Sequence, residues 1–81
     1  MTDQEILEAL TRILRDLLAD DSIVLNMGTT RADVPNWDSF SYVSFIAAVE
    51  MRLGIRFRVA DVESFATVGD IVARAKTLLK A

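Results

Sequence analysis

The sequence predicts an all-α fold, a small bundle of three main helices and one short helix with a long first connection. Three observations carry this. Apolar residues recur three and four positions apart in three segments, the spacing that lines one face of a helix. Each segment opens on a side chain able to accept hydrogen bonds from free backbone N–H groups. The two stretches that look strand-like, Ile23–Leu25 and Ile55–Arg58, are short and unpaired. At 81 residues and 52% hydrophobic content, the chain is expected to fold as one domain over residues 1–81 with a modest core.

Helix I is predicted over about residues 3–19. Thr2 and Glu5 have capping-box spacing. Ile6, Leu10, Ile13, Leu14 and Leu17 form the apolar face, flanked by Leu7 and Leu18, with Glu8, Arg12, Arg15 and Asp16 largely opposite. Asp20 to Trp37 is a long connection, rich in the turn formers Gly28, Thr29, Thr30, Asp33 and Pro35. A connection of this length in a compact domain points to function or disorder. Ile23-Val24-Leu25 reads as a short strand or as a loop pinned to the core by these side chains, and the lack of a partner favours the loop. Met27 and Val34 are expected as further anchors.

Helix II runs from about Ser39 to Leu53, capped by Asp38 or Ser39. Phe40, Val43, Ile46, Ala47, Leu53 and, at the margin, Val49 are expected to face the core. Gly54 ends the helix in a left-handed cap, with Ile55 making the accompanying apolar contact. Ile55 and Phe57 then anchor a loop in which Arg56 and Arg58 are solvated. Asp61 is expected to cap a single helical turn reaching Phe65. Thr67 and Asp70 open a last helix over about 68–80, whose face is Val68, Ile71, Val72, Ala75, Leu78 and Leu79. Arg74, Lys76 and Lys80 lie in its later turns, where positive charge suits the helix dipole.

The residues that are missing narrow the function. The chain has no histidine and no cysteine. Ser-His-Asp and Cys-His catalysis are excluded, with the usual zinc sites and any disulfide framework. No metal site is expected, and the chain is not expected to be an enzyme. A net charge of −3 argues against nucleic acid as a partner. The polar, acidic start Met1-Thr2-Asp3-Gln4-Glu5 is not a signal peptide, and no apolar run reaches membrane length, so a cytoplasmic location is expected; a monomer is expected as well.

Chemistry concentrates at Asn36-Trp37-Asp38-Ser39-Phe40, where a proline-containing loop meets helix II. Ser39 is expected at an exposed helix N-terminus without a base beside it, so any serine chemistry is done to it by another protein. Taken alone, Ser39 and Asp38 are ordinary capping residues. Trp37 reads as a loop anchor over the core or as a binding platform, with the anchor favoured. Phe40 and Val43 read first as core residues. Tyr42 is either an exposed partner contact or packed against the long loop, and Phe45 is harder to place.

Asp38-Ser39-Phe40, with Trp37 before it and Val43 four residues after the serine, resembles the Asp-Ser-Leu attachment motif of acyl and peptidyl carrier proteins. Gly54-Ile55 after helix II, Thr67-Val68-Gly69-Asp70 and the order of elements extend the resemblance over nearly the whole chain. The resemblance implies a four-helix acyl-carrier-like bundle whose Ser39 bears 4′-phosphopantetheine, attached from coenzyme A by a separate Mg²⁺-dependent phosphopantetheinyl transferase. It gives Asp38 a role in recognition and sets Trp37, Phe40, Tyr42, Val43 and Ile55 around the arm as partner surface or acyl gate. Its partners would be an acyl- or aminoacyl-activating ligase and downstream synthases of fatty-acid or secondary metabolism. The thiol must be imported with the arm, since the chain has no cysteine.

The sequence departs from carriers of bacterial fatty-acid synthesis, whose helix II is strongly acidic. From Ser39 to Leu53 the charged residues are Glu50 and Arg52, and Ser41 and Ser44 stand where acids are common. Phe40 replaces the usual leucine, and Asn36 stands where glycine is frequent. A specialised free-standing carrier is therefore expected. A small helical adaptor without a prosthetic group explains the amphipathic helices equally well, but not the Trp-Asp-Ser-Phe sequence at a helix start.

Overall fold

A computed structural model describes residues 1–80. It contains four α-helices, α1 (Asp3–Leu18), α2 (Ser39–Leu53), α3 (Val59–Ser64) and α4 (Val68–Lys80), with a 3₁₀ turn at Arg31–Asp33. Among the described residues there is no strand. Helix α1 packs against both α2 and α4. None of the described helices is long and apolar enough to cross a membrane.

Reciprocal hydrogen bonds start α1. The Glu5 N–H donates to Thr2 Oγ1 at 3.1 Å, and the Thr2 N–H donates to Glu5 Oε1 at 2.8 Å. Ile6, Leu10, Ile13 and Leu14 are buried as the spacing predicts. Leu17 is not: it is 39% exposed, while Leu18 beside it in the last turn packs against the core.

The long connection is a loop fastened at both side-chain and backbone level. Ile23, Leu25 and Val34 are buried. Val24 and Met27, expected as anchors, are 73% and 41% exposed. In extended backbone, side chains alternate, so burying Ile23 and Leu25 turns Val24 outward. Met27 holds the loop by its carbonyl instead. Its oxygen accepts the Gly69 N–H at 2.8 Å, and the Thr29 carbonyl accepts the Val68 N–H at 2.8 Å. Both donors belong to the first turn of α4, where backbone N–H groups have no partner inside the helix.

This fastening explains Gly69. A Cβ there would lie 2.7 Å from the Met27 carbonyl oxygen. Gly69→Ala must therefore displace backbone on one side or the other. We expect a loss of about 1–3 kcal/mol, the usual cost of overpacking a tight contact. It should appear as a lower urea midpoint at unchanged slope.

At the end of α2, Gly54 adopts φ 68° and the Ile55 N–H donates to the Glu50 carbonyl at 3.1 Å. Phe57 is buried and meets the Phe65 ring edge-on, with centroids 5.3 Å apart. Helix α3 starts three residues before the position expected from Asp61 as its cap, since Arg58 takes the cap position. Asp61 is the third residue inside the helix and reaches back, accepting the Arg58 N–H at 3.1 Å, while the same oxygen accepts Arg74 Nε at 3.1 Å. A carboxylate serves the free donors from inside the first turn as well as from the cap itself, which is why spacing misplaced the start. Helix α4 opens as expected. Asp70 Oδ2 accepts the N–H groups of Ala66 at 2.8 Å and Thr67 at 3.1 Å. Val68, Ile71, Val72 and Ala75 are buried, and Leu78 and Leu79 are partly so.

Candidate functional site

The site forms where the long loop turns into α2. Val34 is buried, and Asn36 takes the left-handed conformation at φ 69°. Asparagine tolerates that conformation better than most residues, which accounts for its standing where glycine is frequent. Trp37 then drops into the core, 5% exposed, with its ring edge-on to Phe45 at 5.2 Å and 6.2 Å from Tyr42.

Asp38 is the cap. Its Oδ1 accepts the Ser41 N–H at 2.9 Å, and Ser41 Oγ accepts the Asp38 N–H at 2.9 Å. Ser41 Oγ also donates to the Asn36 carbonyl at 3.0 Å, tying the loop to the first turn. The cap is thus built without Ser39, which is the first residue of the helix and exposed. The backbone N–H groups of this first turn and the helix dipole favour an anion attached there. Among the described residues no group of three acids, histidines or cysteines is placed to hold a metal ion.

Helix α2 is turned differently from the expectation. Phe40 is 83% exposed and Val43 64% exposed, and Ala47 is also on the surface. The inner face is Phe45, Ile46 and Val49, with Tyr42 and Leu53 partly buried beside them. Phe45, which the sequence left unplaced, is fully buried. The physical reason is that α2 is apolar on two sides. Phe40, Val43, Ala47 and Met51 make one stripe at helical spacing, and Tyr42, Phe45, Ile46, Val49 and Leu53 make another. The second stripe also meets Trp37, so the aromatic rings share one contact when it turns inward.

Tyr42 packs against its surroundings. Its hydroxyl donates to the Val62 carbonyl at 2.8 Å, linking α2 to α3, and the Arg31 guanidinium lies 4.7 Å from the ring centroid. That contact was not foreseen, since nothing in the spacing of Arg31 and Tyr42 marks it. Burial pushes the Tyr42 phenol up, partly opposed by Arg31. Ile55 is partly buried against the core.

The Asp38 carboxyl is held below the usual carboxylate range, first by the Ser41 backbone N–H and then by the Ser41 hydroxyl. Asp70 is lowered likewise, by the N–H groups of Ala66 and Thr67. Each carboxyl binds its proton more weakly folded than unfolded. Their stabilisation is therefore fully present above the ordinary carboxylate range, and is lost as pH falls through the depressed folded values. Urea midpoints measured from pH 7 downward should hold until that range and then drop. Asp38→Asn, which can still cap, should flatten the α2 share of the drop.

The chain is similar to a solved structure, the solution NMR structure of a holo acyl carrier protein from Geobacter metallireducens. The TM-score is 0.85 at 35% sequence identity, over 91% of this chain and 85% of that one. No protein-family model and no curated protein matches the chain.

Proposed function

The chain belongs to the acyl carrier protein family, and we propose that it holds acyl or aminoacyl groups as thioesters on a 4′-phosphopantetheine arm joined to Ser39. Carriers of this family are not enzymes. The observation that carries the assignment of Ser39 is its position: an exposed hydroxyl at the first residue of α2, with the cap supplied by Asp38 and Ser41. In the loading step Ser39 Oγ forms a P–O bond to the phosphorus that bears pantetheine in coenzyme A. The pyrophosphate bond breaks, adenosine 3′,5′-bisphosphate leaves, and the serine proton passes to the transferase, which supplies Mg²⁺. The new phosphodiester then stands at the N-terminus of α2, which favours its charge.

Residues 1–81 act as one carrier domain on this reading, working as a cytoplasmic monomer between an activating ligase and downstream synthases. A specialised pathway is supported by α2 itself, whose charged residues are only Glu50 and Arg52. Long-range steering by this helix is weak, and recognition relies on shape and apolar contact.

The test is an intact mass after incubation with coenzyme A, Mg²⁺ and a broad-specificity phosphopantetheinyl transferase. One added phosphopantetheinyl group is the expected result. No gain with several transferases, on a folded and initially unmodified sample, would overturn the reading and leave the adaptor in its place.

A further inference from the structure

A phosphodiester on Ser39 would put a second negative charge at the start of α2, next to the Asp38 carboxylate, whose Oδ1 accepts the Ser41 N–H at 2.9 Å. Two like charges so close repel, and a cation beside them offsets the repulsion. The structure holds one there. Arg31 belongs to the 3₁₀ turn of the long connection, and its guanidinium lies 4.7 Å from the centroid of the Tyr42 ring. Tyr42 is in the first turn of α2, three residues after Ser39, and residues so spaced are neighbours on a helix surface. Helical side chains lean back toward the helix N-terminus, so the Tyr42 ring covers the turn that Ser39 opens. Its hydroxyl donates to the Val62 carbonyl at 2.8 Å, which fixes the ring as a platform. The guanidinium resting on it is thereby kept at the Ser39 end of α2. This cation has no acid of its own. Among the described residues the ion pairs are Arg74–Asp61 and Lys76–Asp3. Asp33, two residues after Arg31, is turned to the backbone, where it accepts the Thr30 N–H at 2.9 Å. Arg31 is exposed, so its long side chain is free to follow an anion.

We propose that Arg31 pairs with the phosphodiester of the arm on Ser39 and limits the directions the arm takes as it leaves α2. This rests on the carrier reading, which supplies the phosphate. A guanidinium is planar and presents its N–H donors in a fork that fits two phosphate oxygens. Stacking on Tyr42 orients that fork before the arm is attached, so less freedom is lost when the pair forms. Arg31 positions the arm and takes no part in the thioester chemistry at its far end.

NMR of the arginine itself tests the pairing, without any loaded activity. The ¹⁵N-labelled chain is incubated with coenzyme A, Mg²⁺ and a broad-specificity transferase, and its arginine Nε–H signals are compared before and after. Sequential assignment, checked by Arg31→Gln, identifies the Arg31 signal. That signal should move downfield and exchange more slowly with water after loading, while those of Arg56 and Arg58 stay in place. The ³¹P signal of the loaded chain should differ between wild type and Arg31→Gln. Both effects should fade at about 1 M salt, where the screening length falls to about 3 Å. Ser39→Ala, taken through the same incubation, should show no change at Arg31. An Arg31 signal unmoved by loading, a response of Arg56 or Arg58 in its place, or a ³¹P signal indifferent to Arg31→Gln would overturn the proposal. Intact mass separates the two readings. No mass gain on the folded wild-type chain defeats the carrier reading and the pairing with it, whereas full loading with an unmoved Arg31 signal defeats the pairing alone.

Discussion

Ser39→Ala is expected to gain no mass under conditions that load the wild-type chain fully, and to fold as well as the wild type. Both halves follow from the geometry of the α2 start. Ser39 is exposed, so its loss should change stability by no more than about 0.5 kcal/mol. The reciprocal bonds that begin the helix run between Asp38 and Ser41 and do not pass through Ser39. Ser41→Ala should behave in the opposite way. It removes a hydroxyl that accepts the Asp38 N–H and donates to the Asn36 carbonyl, so the first turn should loosen while Ser39 still accepts an arm. Intact mass and thermal melts on the two variants separate the roles. A loaded Ser39→Ala chain would move the attachment point to another hydroxyl. An unloaded and unfolded one would mean that Ser39 has a structural part that the cap geometry does not give it.

The bundle was legible because its signals are local. Thr2 with Glu5, Thr67 with Asp70, and Gly54 each satisfy backbone groups within a few residues, and the structure uses each of them as read. The placement of Asp61 failed for a related reason, since a carboxylate can serve the same donors from the cap or from the third helical position. The long loop was legible in its side-chain anchors Ile23, Leu25 and Val34, but not in its backbone. That the Met27 and Thr29 carbonyls would meet the first turn of α4 depends on pairing residues about forty positions apart, and no spacing rule reaches that far. Gly69 lies within the Thr67–Asp70 motif, yet its physical reason, the 2.7 Å approach of a would-be Cβ to the Met27 carbonyl oxygen, is tertiary.

The rotation of α2 is the point where the sequence misled, and it carries the largest stability prediction. Phe45→Ala should cost about 3–5 kcal/mol, the usual price of truncating a buried phenylalanine, because the ring is fully buried and edge-on to Trp37. That is a large part of the total stability of a small domain, so the urea midpoint should fall steeply. Phe40→Ala, at 83% exposure, should stay within about 0.5 kcal/mol. The reverse outcome would turn the helix about its axis, and would bury more than Phe40. Ser39, at the first residue of α2, is exposed with Phe40 and Val43, while Tyr42, Phe45, Ile46 and Val49 turn inward beside Trp37. Comparing Phe45→Ala with Phe40→Ala in urea is therefore a direct test of which apolar stripe of α2 packs the core.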